Sequence, residues 1–244
     1  MDDVINLDHL TKAYGNMIAV NVLSFTLKKG SVFGLLGANG AGKTTAIECI
    51  LGTRKLDGGT VSVLGLDPKA NRKELFEQVG VQFQEPNYQD NIRVCELCEV
   101  TASLYRNPAD YNDLLSEFGI ADKAKSLVKE LSGGQKQRLF IVLALIPNPR
   151  LVFLDELTTG LDARARRDVW KTLCSLKSKG LSILLTSHFM DEVETLCDSI
   201  CILKKGKTVF YGTVAEAIAA SPYEKLEDAY LWFTDEEVMQ DESL

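Results

Sequence analysis

The sequence predicts an α/β fold in which a largely parallel sheet is covered by helices on both faces. Short apolar runs typical of buried strands occur at Val32–Leu36, Leu151–Leu154 and Leu181–Thr186. A clearly amphipathic segment, Arg164–Lys179, lies between the last two runs. A glycine-rich loop follows the first run and precedes a helical pattern. Apolar strands that alternate with helices are typical of a parallel sheet buried on both faces.

The order of elements along the chain refines this prediction. Two strand-like segments come first, at Val4–Leu10 and Leu23–Leu27, and the helical pattern after the glycine-rich loop covers Thr44–Leu51. Between about residues 86 and 149 the pattern changes to helices joined by polar connections. Neither an internal repeat nor a low-complexity linker is found. The sequence therefore predicts one α/β core interrupted by a mostly helical lobe.

Composition and length place the chain among globular proteins. It has 244 residues, 45% hydrophobic and 25% charged, which argues against a collagen, a disordered chain and a disulfide knot. The longest apolar stretch, Leu139–Pro147, is far shorter than the roughly 18 residues that span a membrane. The amino terminus lacks the basic start and apolar run of a signal peptide. We expect a soluble protein inside the cell.

The net charge of −7 is concentrated at one end of the chain. Residues 223–244 contain eight acidic residues and one basic residue, so the remainder is neutral overall. A neutral body with an acidic tail does not match the strongly basic face of a nucleic-acid-binding protein. We therefore expect no nucleic acid among the partners.

The six cysteines show no framework of the extracellular type, and we expect reduced thiols. Cys95 and Cys98 form a C-x-x-C pair within the helical-looking stretch Arg93–Tyr105. A buried or half-buried helix face is favoured over a zinc site, because zinc would need further ligands and no second pair is nearby.

A phosphate-binding loop is predicted between the strand Val32–Leu36 and the following helix. The motif G-x-x-x-x-G-K-[ST] is matched by the run Gly37-Ala38-Asn39-Gly40-Ala41-Gly42-Lys43-Thr44. Glycines let successive N–H groups point at phosphate oxygens, and the helix adds its positive end. Lys43 is expected to reach the β- and γ-phosphates, and the Thr44 hydroxyl to bind Mg²⁺. This pattern predicts a nucleotide site in a P-loop NTPase.

Such a loop needs a carboxylate at the end of a neighbouring buried strand to hold the metal ion. The strand Leu151–Leu154 ends in two acids, Asp155 and Glu156. We expect Asp155 to bind Mg²⁺, directly or through water, and Glu156 to polarise a water against the γ-phosphate. An apolar run that ends in acids is a weak signal alone, but it is persuasive beside the P-loop.

The run Leu131-Ser132-Gly133-Gly134-Gln135 reads LSGGQ, the signature of ATP-binding cassette (ABC) ATPases. The chain resembles one such cassette from about residue 4 to residue 233, with the motifs in the family's order. The resemblance implies a RecA-like core over about 1–85 and 150–220. It also implies an N-terminal antiparallel β subdomain, an inserted α-helical subdomain over about 86–149, and a single ATPase domain over 1–233 with an acidic tail at 234–244.

The resemblance also assigns residues to the nucleotide. Tyr14 matches the aromatic that stacks on adenine, where the sequence alone allows a surface turn residue. Gln84 matches the glutamine that touches Mg²⁺ and the attacking water. His188 matches the switch histidine at the γ-phosphate; it follows a predicted parallel strand at the end where open α/β sheets bind ligands, which favours function over a structural role. Asp162 matches the loop that links two active sites.

The signature also implies a dimer. Its Ser and glycines precede the predicted helix Gln135–Ile146, so backbone N–H groups and the positive end of the helix can face an anion. In the family that anion is the γ-phosphate bound by the other cassette. Each site then contains two sets of residues. One cassette supplies Gly37–Thr45, Gln84, Asp155, Glu156 and His188, and its partner supplies Ser132–Gln135. ATP joins the two cassettes, as a homodimer or a heterodimer, and hydrolysis releases them.

One position departs from the family, which reads Asp-Glu-Pro-Thr where this chain reads Asp155-Glu156-Leu157-Thr158. Loss of the proline removes a fixed φ angle but no chemical group, and we expect at most a modest change in hydrolysis rate.

The segments Ser187–Cys197 and Leu226–Trp232 look like the branch that serves drug, antibiotic or lipid exporters. That branch implies export through a separate integral-membrane permease, and a cytoplasmic protein peripheral at the inner face of the membrane. The expected coupling surface is the helical lobe, especially Glu85–Tyr105. The acidic end, Asp235–Leu244, is expected to be a solvated tail.

Two other functions remain open from the sequence. One is a cassette ATPase that works on DNA, chromosomes or ribosomes, although the coiled coil, second cassette or basic surface usual in that class is not found. The other is a nucleotide-binding regulator that does not hydrolyse ATP; Glu156, His188 and LSGGQ argue against it.

Overall fold

A computed structural model describes residues 3–82, 88–156, 158 and 160–235. The first element of the fold is an antiparallel sheet of three strands. Strands β1 (Asp3–Tyr14) and β2 (Met17–Lys28) form a hairpin, and β4 (Gly58–Val63) pairs with the other edge of β1. Every second residue over much of β2 is buried, which is the pattern of a sheet with one covered face. The antiparallel N-terminal sheet implied by the family resemblance is confirmed.

The described residues divide into two compact units. The first comprises residues up to 72 and from 186 onward, and the second comprises residues 73–185. The predicted helical segment at 86–149 falls within the second unit, which also contains β-strands. The extent of the domains stays a prediction.

In the first unit, a second set of strands lies behind the predicted P-loop. Strand β3 (Val32–Leu36) is buried along its whole length and pairs in parallel with β8 (Ser199–Lys204). Strand β9 (Lys207–Gly212) pairs antiparallel with β8. Helix α1 (Lys43–Ile50) follows β3 after the glycine-rich loop. Buried apolar strands of this kind need cover on both faces, as the sequence predicted.

The C-terminal helices of the first unit close an apolar cluster. These helices are α7 (Met190–Leu196), α8 (Val214–Ala219) and α9 (Leu226–Thr234). The buried members of the cluster are Leu36, Met190, Val193, Ile200, Ile202, Ala217, Leu226 and Phe233. The cluster therefore joins α7, which begins two residues after His188, to α9 near the end of the chain.

The second unit contains three strands in the order β5, β6, β7. Strand β5 (Val79–Gln82) pairs in parallel with β6 (Leu151–Asp155), and β7 (Ser182–Thr186) ends at the boundary with the first unit. The helices between and around these strands are α2 (Arg72–Phe76), α3 (Val94–Ala102), α4 (Tyr111–Glu117), α5 (Gly133–Leu145) and α6 (Ala163–Ser178), with 3-10 turns at Ala121–Lys123 and Val128–Glu130. The predicted α/β class is confirmed.

The two cysteines of the C-x-x-C pair lie on α3. Cys98 is buried and Cys95 is half-buried, as predicted for a helix face. Burial raises the pKa of the Cys98 thiol to about 12, so this thiol is protonated at neutral pH. Over the described part of the chain, no helix is both long and apolar enough to cross a bilayer.

Candidate functional site

The P-loop follows β3 as predicted, with its tip open to solvent. Ala38, Asn39 and Gly40 are exposed, whereas Gly37 and Ala41 at the two ends of the loop are buried. The N–H of Ala41 donates to the carbonyl of Ala38 over 3.0 Å, which closes the turn. The loop thus presents its backbone outward from a base that is anchored at both ends.

Gly42 is required at the point where the loop enters α1. Its φ is 105°, and a Cβ atom built there would lie 2.2 Å from the carbonyl oxygen of Ala19. Both the backbone angle and the close approach exclude any side chain. The second glycine of the predicted motif is therefore explained by the packing of the loop against β2.

Lys43 turns back along the inside of the loop. Its ammonium donates to the carbonyl of Gly37 over 2.6 Å and to that of Ala38 over 3.2 Å, and the residue is 8% exposed. Because it begins α1, its charge also lies beside the positive end of a helix, where anions are favoured. Thr44 is exposed and Thr45 is half-buried on the first turn of the same helix.

Two other predicted residues belong to the same unit. Tyr14 ends β1 and is 38% exposed. His188 is exposed and lies between the buried residue Ser187, which follows β7, and helix α7. The N–H of Phe189 donates to the Ser187 hydroxyl over 3.0 Å, which fixes the turn that carries His188.

The acidic pair lies in the second unit, at the carboxyl end of β6. Asp155 is the last residue of the strand and is 9% exposed. Glu156 follows with a φ of 50°, in the left-handed region that residues other than glycine seldom adopt. The two acidic residues are therefore adjacent in the chain but differ in backbone conformation.

Two glutamines donate hydrogen bonds to the backbone at this strand end, and neither was predicted from the sequence. The amide of Gln82, itself 3% exposed, donates to the carbonyl of Asp155 over 3.3 Å. The amide of Gln137, on α5, donates to the carbonyl of Glu156 over 3.4 Å. A polar residue in the otherwise apolar strand β5 was the available signal for Gln82. The sequence contains no comparable signal for Gln137.

The LSGGQ run forms the N-terminus of α5. Ser132 is the N-cap: its hydroxyl accepts from the N–H of Gln135 over 3.3 Å, and the side chain of Gln135 accepts from the N–H of Ser132 over 3.0 Å. This reciprocal capping box orders the helix start. Ser132 and Gly133 are exposed, so the positive end of a 13-residue helix faces outward.

Leu161, next to Asp162 in the predicted linking loop, packs against Gly134 of the LSGGQ run. A Cβ atom at Gly134 would lie 3.1 Å from Cδ2 of Leu161, so glycine allows this close packing. The neighbouring Asp162 caps α6, accepting from the N–H groups of Arg164 over 2.9 Å and Ala165 over 2.8 Å. These backbone donors hold the pKa of the Asp162 carboxyl below its ordinary value.

Several predicted positions lie outside the described residues, namely Gln84, Leu157, residues 85–87 at the start of the expected coupling surface, and most of the acidic tail. Within the described parts, the first unit contains Tyr14, the P-loop and His188. The second unit contains the signature, the acidic pair and Asp162. Tyr14, which was predicted to follow the first strand, is the last residue of β1. The roles of all these residues at a nucleotide stay predictions.

A model of the family described as ABC transporter matches residues 20–159, more than half of the chain. The chain belongs to the ABC transporter family. It is an ATP-binding cassette, and the cassettes of this family are ATPases.

Curated relatives in the ABC transporter family include the Nod factor export ATP-binding protein I of Mesorhizobium japonicum. It is 41% identical over 208 residues, which is 83% of this chain and 61% of that protein. The protein of the same name from Burkholderia orbicola is 39% identical over 85% of this chain and 70% of its own length. The chain thus spans about three fifths of the length of the first relative.

Solved ABC cassettes share the fold. The ATP-binding subunit of an ABC transporter superposes with a TM-score of 0.86 and 26% identity, over 95% of this chain and 100% of that chain. The protein cbiO1 of Clostridium perfringens, part of the transporter complex cbiONQ, has a TM-score of 0.80 and 25% identity over the whole of both chains. The predicted cassette fold is therefore confirmed.

Proposed function

We propose that this chain is the ATP-hydrolysing subunit of an export system, acting with a second cassette and a separate membrane permease. The two curated relatives described above are named as export ATP-binding proteins. The observation that carries the proposal is that one chain contains both a phosphate-binding loop and an exposed, capped signature helix. A protein that only binds nucleotide has no need of the second element.

In the proposed site, each residue has a separate contact with the nucleotide, the metal or the attacking water. Lys43 holds the β- and γ-phosphates, Glu156 orients and polarises the attacking water, and His188 contacts the γ-phosphate. Tyr14 contacts the adenine, and Gln84 is proposed to contact the metal and the water. The proposed nucleotide-binding set also includes the P-loop backbone from Gly37 to Thr45 and, from the partner cassette, Ser132, Gly133, Gly134, Gln135 and the linking Asp162.

The residues proposed to bind metal fit Mg²⁺ in their chemistry. The Thr44 hydroxyl and the Asp155 carboxylate are oxygen donors, as is the side-chain carbonyl of Gln84, and oxygen is the ligand that Mg²⁺ prefers. Asp155 is fixed by the strand and by the hydrogen bond of Gln82 to its carbonyl. When bound, Mg²⁺ neutralises charge on the phosphates.

The proposed dimer follows from the position of the signature. Ser132 and Gly133 are exposed at the N-terminus of α5. The first N–H groups of a helix have no carbonyl partner within that helix, so this end can bind an anion from outside. ATP held by one cassette supplies that anion, so binding of ATP favours two cassettes in contact. Hydrolysis and release of phosphate remove the shared ligand, which converts ATP turnover into movement.

The proposed permease contact lies on the helical part of the second unit. Val100, on α3, is 56% exposed and Leu104, just beyond it, is 70% exposed. Two exposed large apolar side chains within five residues support a contact with a cytoplasmic segment of a membrane protein. In the proposed complex, the chain lies at the inner face of the membrane.

The experiment that tests the proposal is recovery of a membrane partner. Affinity-tagged protein is purified from detergent-solubilised membranes of its own cells, and integral-membrane proteins that accompany it are identified. We expect a permease to be retained by the wild type and lost from a Val100→Glu, Leu104→Glu variant. Met17→Glu, which alters a 63% exposed side chain of β2, is the control and retains the permease. Recovery of ribosomes or DNA without a membrane protein would contradict the proposal.

A further inference from the structure

A group of charged side chains surrounds Tyr14. We propose that Asp57, together with Lys12 and Arg54, positions the ring of Tyr14 for contact with the nucleotide base. The proposal rests on the adenine contact of Tyr14 put forward above. It assigns a positioning role to three residues that touch the ring or its strand rather than the nucleotide.

Asp57, the residue before β4, forms hydrogen bonds with the part of β1 that β4 does not reach. Strand β4 begins at Gly58, opposite Thr11, so the last three residues of β1 have no strand beside them on that edge. The N–H of Asp57 donates to the carbonyl of Thr11 over 2.9 Å, and its carboxylate accepts from the N–H of Ala13 over 2.8 Å. The backbone next to Tyr14 is therefore held by a side chain.

Lys12 connects this carboxylate to the ring. Its ammonium lies 3.0 Å from both carboxylate oxygens of Asp57 and 5.5 Å from the centroid of Tyr14. The Lys12 side chain is only 13% exposed, which limits the positions that it can adopt. Hydrogen bonds from Ala13 and Lys12 hold the pKa of Asp57 below its ordinary value, so the ion pair persists at neutral pH.

Arg54 connects the ring of Tyr14 to α1, the helix that follows the P-loop. Its guanidinium carbon lies 5.3 Å from the Tyr14 centroid, within the range of a cation–π contact. Its Nε and Nη2 atoms donate to the carboxylate of Glu48 over 2.5 Å and 3.2 Å. Glu48 lies on α1, one turn after Thr44, and therefore on the same face.

These contacts give Tyr14 a defined place relative to the phosphate-binding loop. A nucleotide that spans the loop and the ring needs both at a fixed separation, because its base and phosphates are joined covalently. Two cations near one ring restrict its rotation, and 38% of the residue stays exposed for a stacked base. Loss of Asp57 is therefore expected to weaken contact with the base and to spare contact with the phosphates.

The test compares a ligand that has the base with one that does not. Dissociation constants for Mg-ATP and for magnesium tripolyphosphate are measured by calorimetry on the whole chain. The variants are Tyr14→Ala, Asp57→Ala, the milder Asp57→Asn and Arg54→Gln. Asp67→Ala is the matched control, because the carboxylate of Asp67 in this unit also accepts from backbone N–H groups, those of Lys69 and Ala70, rather than from the strand that carries Tyr14.

We expect Tyr14→Ala to weaken ATP binding by roughly 5- to 150-fold, the range for loss of one base–aromatic stack, and to leave tripolyphosphate binding unchanged. Asp57→Ala shows part of the same loss for ATP alone, and Asp57→Asn a smaller part because it keeps an oxygen for Ala13. Arg54→Gln also weakens ATP selectively. Asp57→Ala adds little in a chain that already lacks Tyr14, and Asp67→Ala changes neither constant.

Two results would overturn the positioning role. If the Asp57 and Arg54 variants weaken ATP and tripolyphosphate equally, the residues support the fold and not the ring. If Tyr14→Ala weakens ATP while those variants leave it unchanged, the ring needs no positioning. A different failure, in which Tyr14→Ala itself leaves ATP affinity intact, would instead remove the proposed adenine contact on which the inference rests.

Discussion

The side-chain amide of Gln137 donates a hydrogen bond to the backbone carbonyl of Glu156, 3.4 Å away. Glu156 has a φ of 50°, a conformation that costs an L-residue roughly 1–2 kcal/mol. Gln137 lies on the helix that begins with LSGGQ, so this bond joins the signature helix to the backbone of the residue that is proposed to polarise the attacking water. The bond therefore helps to stabilise a backbone conformation that is costly for Glu156.

We predict that Gln137→Leu slows ATP hydrolysis and leaves ATP affinity unchanged. Removal of one neutral hydrogen bond is worth about 1 kcal/mol, which corresponds to a decrease of about fivefold in kcat. Steady-state ATPase assays and ATP titrations on the same preparations measure the two effects. Lys136→Leu, at the adjacent position of α5, is the control; equal slowing in that variant would attribute the effect to the helix as a whole.

Lys43→Ala is expected to abolish tight binding of Mg-ATP. The ammonium is 8% exposed and lies against the carbonyls of Gly37 and Ala38, so its charge is already placed at the loop. Calorimetric titration with Mg-ATP measures the loss, and circular dichroism checks that the chain remains folded. Unchanged affinity in a folded variant would remove the phosphate-binding role of this loop.

Much of the fold was predictable because the buried strands have simple sequences. Strand β3 begins and ends where the apolar run Val32–Leu36 does, and β6 extends the predicted run by only one residue, Asp155. The glycine-rich loop and the LSGGQ run are recognisable as sequence motifs, because few sequences allow the backbone conformation that binds phosphate. These elements contain local information sufficient to place the groups at their ends.

Other elements depend on contacts that the sequence does not display. Strand β4 (Gly58–Val63) contains two glycines and half-buried side chains, and it forms because β1 offers an open edge. The bond from Gln137 to Glu156 joins residues 19 positions apart on different elements. The charges around Tyr14 come from β1, α1 and the loop before β4, and become neighbours only in the folded unit.

Ser132→Arg is expected to block ATP-dependent dimers and to leave ATP binding by the single chain intact. Ser132 is exposed at the N-terminus of α5, so a long cationic side chain there occupies the space proposed for the partner's γ-phosphate. Size-exclusion chromatography with Mg-ATP, in a Glu156→Gln background, measures the dimer. Ser132→Thr retains a capping hydroxyl and is the control. Weak ATP binding by the monomeric Ser132→Arg variant would contradict the assignment of this residue to the partner's site.

Asp162→Ala is expected to lower stability at neutral pH by removing the N-cap of α6. Because the folded-state pKa of Asp162 is depressed, its stabilising contribution is complete above the unfolded pKa of about 3.9 and is lost as pH falls through the folded value. The difference in urea midpoint between wild type and Asp162→Ala should therefore be constant above about pH 5 and shrink below about pH 4. Asp162→Asn keeps a capping oxygen without titrating, and a steep loss of midpoint in that variant at pH 7 would show that charge matters more than capping.

Glu156→Gln is expected to bind ATP, hydrolyse it very slowly and accumulate as a dimer. The amide keeps the shape of the side chain but removes the negative charge that polarises water, so the shared nucleotide persists between two cassettes. Light scattering with and without Mg-ATP measures the mass, which should double only in the presence of nucleotide. The Lys43→Ala, Glu156→Gln double variant is the control and stays monomeric because it does not retain ATP. A monomer at saturating Mg-ATP would contradict a homodimer and direct the search to a distinct partner cassette, while near-normal turnover would show that another group activates the water.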